Sequence, residues 1–223
     1  MERLVGNGPV RKLQNSRRCL TGMVDLKAGG TASFESSLER DWLLVLDFDP
    51  SVRRIIPQPF TLCYDANDAR RRYTPDVLVE RVGVGFEPST IVYEIKPRDE
   101  LRASWNAYRR RFKAAMLYCR ELNWRFKIVT EREIRTPLLE NAQFLKRYRS
   151  VTADELATEQ LLYTLRGLGT CSPQALLAAA YWHQEAQMGA LPTLWRLVAE
   201  RQIGAVLHER LTMRSLLWLP TDR

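Results

Sequence analysis

The sequence predicts an α/β protein, an α-β-β-β-α-β core followed by a small C-terminal α+β domain. Three observations carry that prediction. Apolar spacing alternates between helical and strand periods from residue 33 to residue 150. A long amphipathic helix at 99–122 separates two apolar strands. Charge is uneven: residues 1–150 hold 28 Lys and Arg against 19 Asp and Glu, a net of +9, and residues 151–223 hold 6 against 7, a net of −1, which together give the total of +8. The expected organisation is a basic N-terminal arm at 1–32, a core domain at 33–150 and an interaction domain at 151–223.

Residues 1–32 are polar and basic, with Arg11, Lys12, Arg17, Arg18 and Lys27, and read as an irregular lead-in without a core of its own. The stretch SFESSLERDWLLVLDFDP turns helical, with Leu38, Trp42, Val45 and Leu46 on one face, Ser33 or Ser36 as the cap and Asp49-Pro50 as the stop. VRRIIPQPFTLCYD is extended but interrupted by Pro57 and Pro59, which predicts an edge or bent strand. DANDA is a turn, RRYTPDVLVE the next strand, and Gly83-x-Gly85 a hairpin turn before the strand at 90–96. On the long helix Leu101, Trp105, Tyr108, Phe112, Ala115, Met116 and Cys119 form the apolar stripe. WRFKIVTE is a strand, and Thr136 to Tyr148 a helix.

In the last part Thr152 caps a helix with Glu155 three residues on, and Ser172 caps another with Pro173 at its first position. A third helix follows Pro192, and IGAVLHERLTMRSLLWLP reads as a β-ribbon. Three helices and a ribbon give the outline of a winged helix.

Composition removes several functions. His183 and His208 are the only histidines, and Cys19, Cys63, Cys119 and Cys171 are scattered without a CxxC pair. A His-based nuclease, a zinc site and a disulfide framework are therefore not expected. No apolar run is long enough to span a bilayer, and no secretory signal is read at the N-terminus, so a cytoplasmic protein without a membrane role is expected. A basic first part suits the phosphates of nucleic acid.

The candidate chemistry lies in TIVYEIKPRDE. Side chains alternate along a strand, so Val92, Glu94 and Lys96 share one face, an acid and a base about 7 Å apart by strand rise. Hydrolysing a phosphodiester without histidine calls for a divalent cation, and Mg²⁺ takes hard oxygens, often one or two carboxylates. Asp76 in Thr74-Pro75-Asp76 lies 94 − 76 = 18 residues before Glu94, a gap suited to a hairpin. Glu39 on the preceding helix can reach the same sheet end. Each piece alone has an ordinary explanation. Glu-x-Lys is most often a solvated ion pair, Ser36-x-x-Glu39 is a capping box, and Glu35 is a first-turn dipole residue. Together, in order and inside a basic segment, they form the PD-(D/E)xK nuclease arrangement.

The stretches FESSLERDWLLVLDFDPSVRRIIPQPFTLCYD, YTPDVLV, IVYEIKP and WRFKIVTEREI together resemble the TnsA endonucleases of heteromeric DNA transposons. The resemblance covers residues 10–150 and is weaker beyond. It implies a restriction-endonuclease-like domain that nicks the 5′ ends of a transposon, using Mg²⁺, or Mn²⁺ in its place. By motif it implies Glu39 as the helix carboxylate, Glu39, Asp76 and Glu94 as metal ligands with the Ile95 carbonyl, and Lys96 as the catalytic lysine. Gln58 takes a structural role only. The implied partners are transposon-end DNA, the DDE-type transposase TnsB and the AAA+ regulator TnsC, the last through the C-terminal domain. Arg109, Arg110, Arg111 and Lys113 are candidates for phosphate contact, with a solvated helix face as the alternative. Another PD-(D/E)xK nuclease (resolvase, repair or restriction type) and a non-catalytic DNA-binding adaptor remain competing readings.

Overall fold

The structure, a computed structural model, describes residues 3–4, 21–26, 30–66, 69–82 and 89–220. It divides into two compact units, residues 1–135 and 136–223. In chain order the first contains β1 (Arg3–Leu4), β2 (Gly22–Asp25), β3 (Thr31–Phe34), α1 (Ser37–Phe48), β4 (Val52–Pro57), β5 (Thr61–Ala66), β6 (Ala69–Tyr73), β7 (Val77–Arg81), β8 (Thr90–Ile95), α2 (Arg98–Glu121), β9 (Arg125–Val129) and α3 (Glu131–Ile134).

The central sheet has the order β4-β7-β8-β9. The pairs β4/β7 and β7/β8 are antiparallel, and β9 joins β8 in parallel after the α2 crossover. Parity along the strands decides which side chains face which layer. Val77, Val79, Ile91, Tyr93 and Ile95 pack with Leu38, Leu43 and Leu46 of α1. Leu78 and Val92 instead pack with Phe112, Ala115 and Cys119 of α2 and with Phe60, Leu62 and Tyr73. Helices on both faces of a mixed sheet make a three-layer α/β core.

Four sequence expectations need correction here. The segment before residue 33 is not without a core: β2 and β3 form a hairpin whose Val24, Ala32 and Phe34 are buried beside α1. Arg11, Lys12, Arg17, Arg18, Lys27 and the Gly83-x-Gly85 turn lie outside the described residues. The segments VRRIIPQPFTLCYD and RRYTPDVLVE each split in two. Gln58 takes a positive φ of 44°, which ends β4 and lets β5 and β6 form a separate hairpin in the order β1-β5-β6. β4 itself is the sheet edge, where Pro57 is tolerated. On α2, Trp105 and Met116 are exposed, while Ala114 and Tyr118 are buried beside Phe112, Ala115 and Cys119, and Ser104 interrupts the helical backbone near the start.

The second unit contains α4 (Pro137–Lys146), α5 (Glu155–Leu168), β10 (Thr170–Cys171), α6 (Pro173–Ala180), α7 (Gln184–Ala199), β11 (Gly204–Ala205) and β12 (Leu217–Trp218). The division falls after Arg135, whereas the charge count put it after residue 150. The reason is α4, whose Leu139, Ala142 and Leu145 are buried and which packs on α7. Asn141 adds to this: its amide donates to the Leu207 and Glu209 carbonyls at 2.9 and 2.7 Å and accepts from Leu211 N–H at 2.9 Å. Ser172 caps α6 as expected, but α5 is capped by Asp154 rather than Thr152, and Pro192 lies inside α7 rather than before it. The three short strands form one antiparallel sheet in the order β10-β12-β11. Among the described residues no helix is long and apolar enough to cross a membrane. Buried Cys119 has its thiol pushed up to about 12 by burial, the behaviour of a packing residue.

Candidate active site

Antiparallel pairing of β7 with β8 aligns Val77 with Tyr93, so Asp76 stands beside Glu94 at the end of the sheet. The Ile95 N–H donates to Asp76 Oδ2 at 2.7 Å, and Gln58 N–H donates to the Asp76 carbonyl at 2.8 Å. Asp76 is thereby fixed at both its main chain and its carboxylate. Glu94 points to the α2 side of the sheet, as its parity with Val92 dictates, and is 2% exposed.

Lys96 closes the cluster. Its Nζ donates to the Ile95 carbonyl at 3.1 Å and lies 3.6 Å from Asp76 Oδ2 and 3.5 Å from Glu94 Oε1. One ammonium therefore contacts two carboxylates and a main-chain carbonyl at once. These residues line a cavity of about 570 Å³ together with Glu39, Thr61, Arg72, Tyr73, Thr74 and Arg111.

Burial, and then the Asp76 charge, push the Glu94 carboxyl up to about 7, against the pull of Lys96, Tyr73 and Arg111. Burial also raises Asp76 above the usual carboxylate range, against Lys96 and the Ile95 N–H. For Lys96 burial acts downward, but Asp76, Glu94 and Glu39 outweigh it and hold the ammonium above the ordinary lysine value. Two crowded carboxylates that resist ionisation, with one cation between them, form a site short of positive charge.

Glu39 reaches the cavity from α1, and burial and the Asp76 charge raise its pKa. Its oxygens also serve the helix start. Oε2 accepts from Glu35 N–H at 2.8 Å and Oε1 from the Ser36 hydroxyl at 3.0 Å, while Ser36 Oγ accepts from Glu39 N–H at 3.1 Å. The cap and the site thus share one side chain. Glu35 precedes the N-cap rather than occupying the first turn, and its Oε1 accepts from Gln58 Nε2 at 3.2 Å.

Of the four basic candidates on α2, the cavity takes in Arg111 alone, and Arg109, Arg110 and Lys113 lie exposed elsewhere on the helix. Arg111 Nη2 stands 3.3 Å from Glu94 Oε1, and its guanidinium lies 4.0 Å from the Tyr108 ring centre. Two contributors escaped the sequence reading. Tyr73 OH donates to Glu94 Oε2 at 2.5 Å, and Arg72 enters the cavity lining from β6. Tyr73 stands in the YTPD stretch already singled out, so its proximity to Asp76 was available. Its partner 21 residues away was not.

A divalent cation fits these donors by their chemistry. The Lys96 ammonium touches three hard oxygens, the ligand type that Mg²⁺ selects, and the excess of buried carboxylate favours added positive charge. Among the described residues no three Asp, Glu, His or Cys side chains make a group that could hold a metal ion. Both Glu39 oxygens are taken by the start of α1, and the further hard oxygen beside Lys96 is the Ile95 carbonyl.

A mixed α/β core with this acid–lysine cluster at the end of its central strands is nuclease-like. In a comparison with protein families, residues 49–131 match the family described as "TnsA-like endonuclease N terminal". The matched segment is similar to a TnsA-like endonuclease domain; it holds Asp76, Glu94 and Lys96 and begins after Glu39. No curated protein matches the chain.

Proposed function

We propose that this protein is a Mg²⁺-dependent DNA endonuclease that nicks the 5′ ends of a transposon as one subunit of a heteromeric transposase. The observation that carries the reading is the single ammonium of Lys96 touching Asp76 Oδ2, Glu94 Oε1 and the Ile95 carbonyl. Asp76, Glu94 and the Ile95 carbonyl would hold the cation, with Mn²⁺ able to replace it. When bound, such an ion polarises the phosphoryl group and acidifies a water.

The chain's own residues do the rest. Lys96 stays protonated at neutral pH, so it acts through its N–H donors, orienting the attacking water and offsetting charge that develops on the phosphoryl oxygens. Tyr73 and Asp76's bond to Ile95 N–H fix the two carboxylates before substrate arrives. Arg111 is placed to meet a backbone phosphate, and Arg109, Arg110 and Lys113 extend the basic face of α2. Glu39 adds a carboxylate at the rim and holds the start of α1 beside the site.

The second unit, three helices and a small sheet after α4, is read as a winged-helix-like module that docks on the AAA+ regulator TnsC, while the nuclease unit works beside the DDE transposase TnsB. Support for a protein-facing role comes from exposed Leu156, Tyr163, Trp182 and Met188. The test is excision reconstituted with the transposase on end-labelled transposon DNA, mapping nicks on each strand. Wild type restores the 5′ nicks, and Lys96→Ala and Asp76→Ala remove them while 3′ cleavage persists. Retention of 5′ nicks by both variants contradicts the reading.

A further inference from the structure

The β5–β6 hairpin carries the sequence ARRRY, Ala69–Tyr73, on the outer strand of its sheet. Arg72 is exposed, and its side chain has no hydrogen-bond or ion-pair partner among the described residues. Charged residues on an edge strand protect it from pairing with other chains. That purpose does not explain where Arg72 lies.

Strand parity puts Arg72 and Thr74 on one face, opposite the buried Tyr73, and Thr61 joins them there through a 2.7 Å contact between the threonine hydroxyls. This face lines the cavity that holds Asp76, Glu94 and Lys96. Asp76 follows Arg72 by four residues, about 13 Å if the chain were fully strand-like. A polyanion meets Glu35, Glu39, Asp76 and Glu94 in that cavity. It can lie across them only where cations bracket its path. Arg111 supplies one from the α2 side, but it is engaged with Glu94. Arg72 supplies a free one from the hairpin side.

We infer that the β5–β6 hairpin is a DNA-backbone contact, in which Arg72 binds a phosphate adjoining the one that enters the cavity. The inference rests on the endonuclease reading, but it concerns binding and is measured without cleavage. Phosphate contacts position the duplex and read no sequence. Each one also adds about 0.9 to the slope of log affinity against log salt concentration.

The experiment measures anisotropy of a fluorescent random-sequence duplex with the full chain, in EDTA, over a salt series. For Arg72→Gln the slope falls by about 0.9 relative to wild type, one contact's worth. Arg72→Lys restores it, because a phosphate accepts either cation and a merely structural role would not be rescued this way. An unchanged slope in the Gln variant, or no duplex binding by the wild-type chain at low salt, overturns the inference. Nicking by Lys96→Ala tests the endonuclease reading separately, since a catalytic failure leaves the salt slope of the hairpin variants readable.

Discussion

Glu94 is held by three different groups, and each has its own signature. Tyr73 takes Oε2, leaving Oε1 to Lys96 and Arg111. Under the proposed function Tyr73 is a positioning residue, through Glu94 rather than on the reacting atoms. Removing such an outer partner weakens metal affinity by about 10- to 100-fold. Tyr73→Phe should show that loss in a calorimetric Mn²⁺ titration, with the ring packing on Phe112 preserved. A pH signature belongs to Glu94 itself. Its folded pKa of about 7 lies above its ordinary 4.5, so its contribution to stability is intact below 4.5 and is lost as pH rises through 7. Asp76 and Glu39 shift in the same direction, whereas Asp49 shifts the opposite way. The metal-free protein should therefore melt at lower temperature at pH 8 than at pH 5. Glu94→Gln should flatten that dependence by at most about 3 kcal/mol. A melting midpoint equally pH-dependent in the Gln variant would remove Glu94 as the cause. The proximity of Glu94 and Lys96 could be read from the sequence because parity along one strand is local. The Tyr73 contact could not, since it depends on how the β6 end folds back over β8.

Among the elements, α1, the β7–β8 pair and α2 were legible because each has a strong local signal: the Ser36 cap, alternating apolar residues, and a long amphipathic run. The β5–β6 hairpin was not. Its boundaries depend on the positive φ of Gln58 and on the Thr74-Pro75 break, while the strand residues on either side continue an extended pattern. Pro192 misled for a similar reason, since a proline signal marks a start or a tolerated interior with the same letter. The α1 cap ties stability to the site. Ser36→Ala removes an N-cap bond worth about 1 kcal/mol and frees the Glu39 carboxylate from one partner. The predicted result is a modest fall in denaturant midpoint with an unchanged m-value. In the second unit, a Cβ on Gly204 would come within 2.5 Å of the Trp218 ring. Gly204→Ala should thus destabilise the β11–β12 pair, seen as faster amide exchange in that sheet while β7 and β8 keep their protection. Slowed or unchanged exchange would show that Trp218 moves aside freely.

For the molecule as a whole, charge and packing tell slightly different stories about where one unit ends. Counted to Arg135, the first unit has 25 Lys and Arg against 18 Asp and Glu, a net of +7, and the remainder 9 against 8, a net of +1. The basic excess thus stays with the nuclease-like unit under either boundary. Charge located the division only approximately because α4 carries Lys146 and Arg147 at its end yet packs by Leu139 and Leu145. Partner contacts outside the chain were beyond sequence reading, and the exposed apolar side chains of the second unit give only their chemistry. The central claim is that Asp76, Glu94 and the Ile95 carbonyl hold one divalent cation beside Lys96. Anomalous diffraction from crystals soaked in Mn²⁺ tests it most directly. A peak about 2.0–2.2 Å from Asp76 Oδ2, Glu94 Oε1 and the Ile95 oxygen, with the Lys96 ammonium displaced to its side, is the predicted result. A peak at other residues, or none while Lys96 keeps its three contacts, would contradict the account.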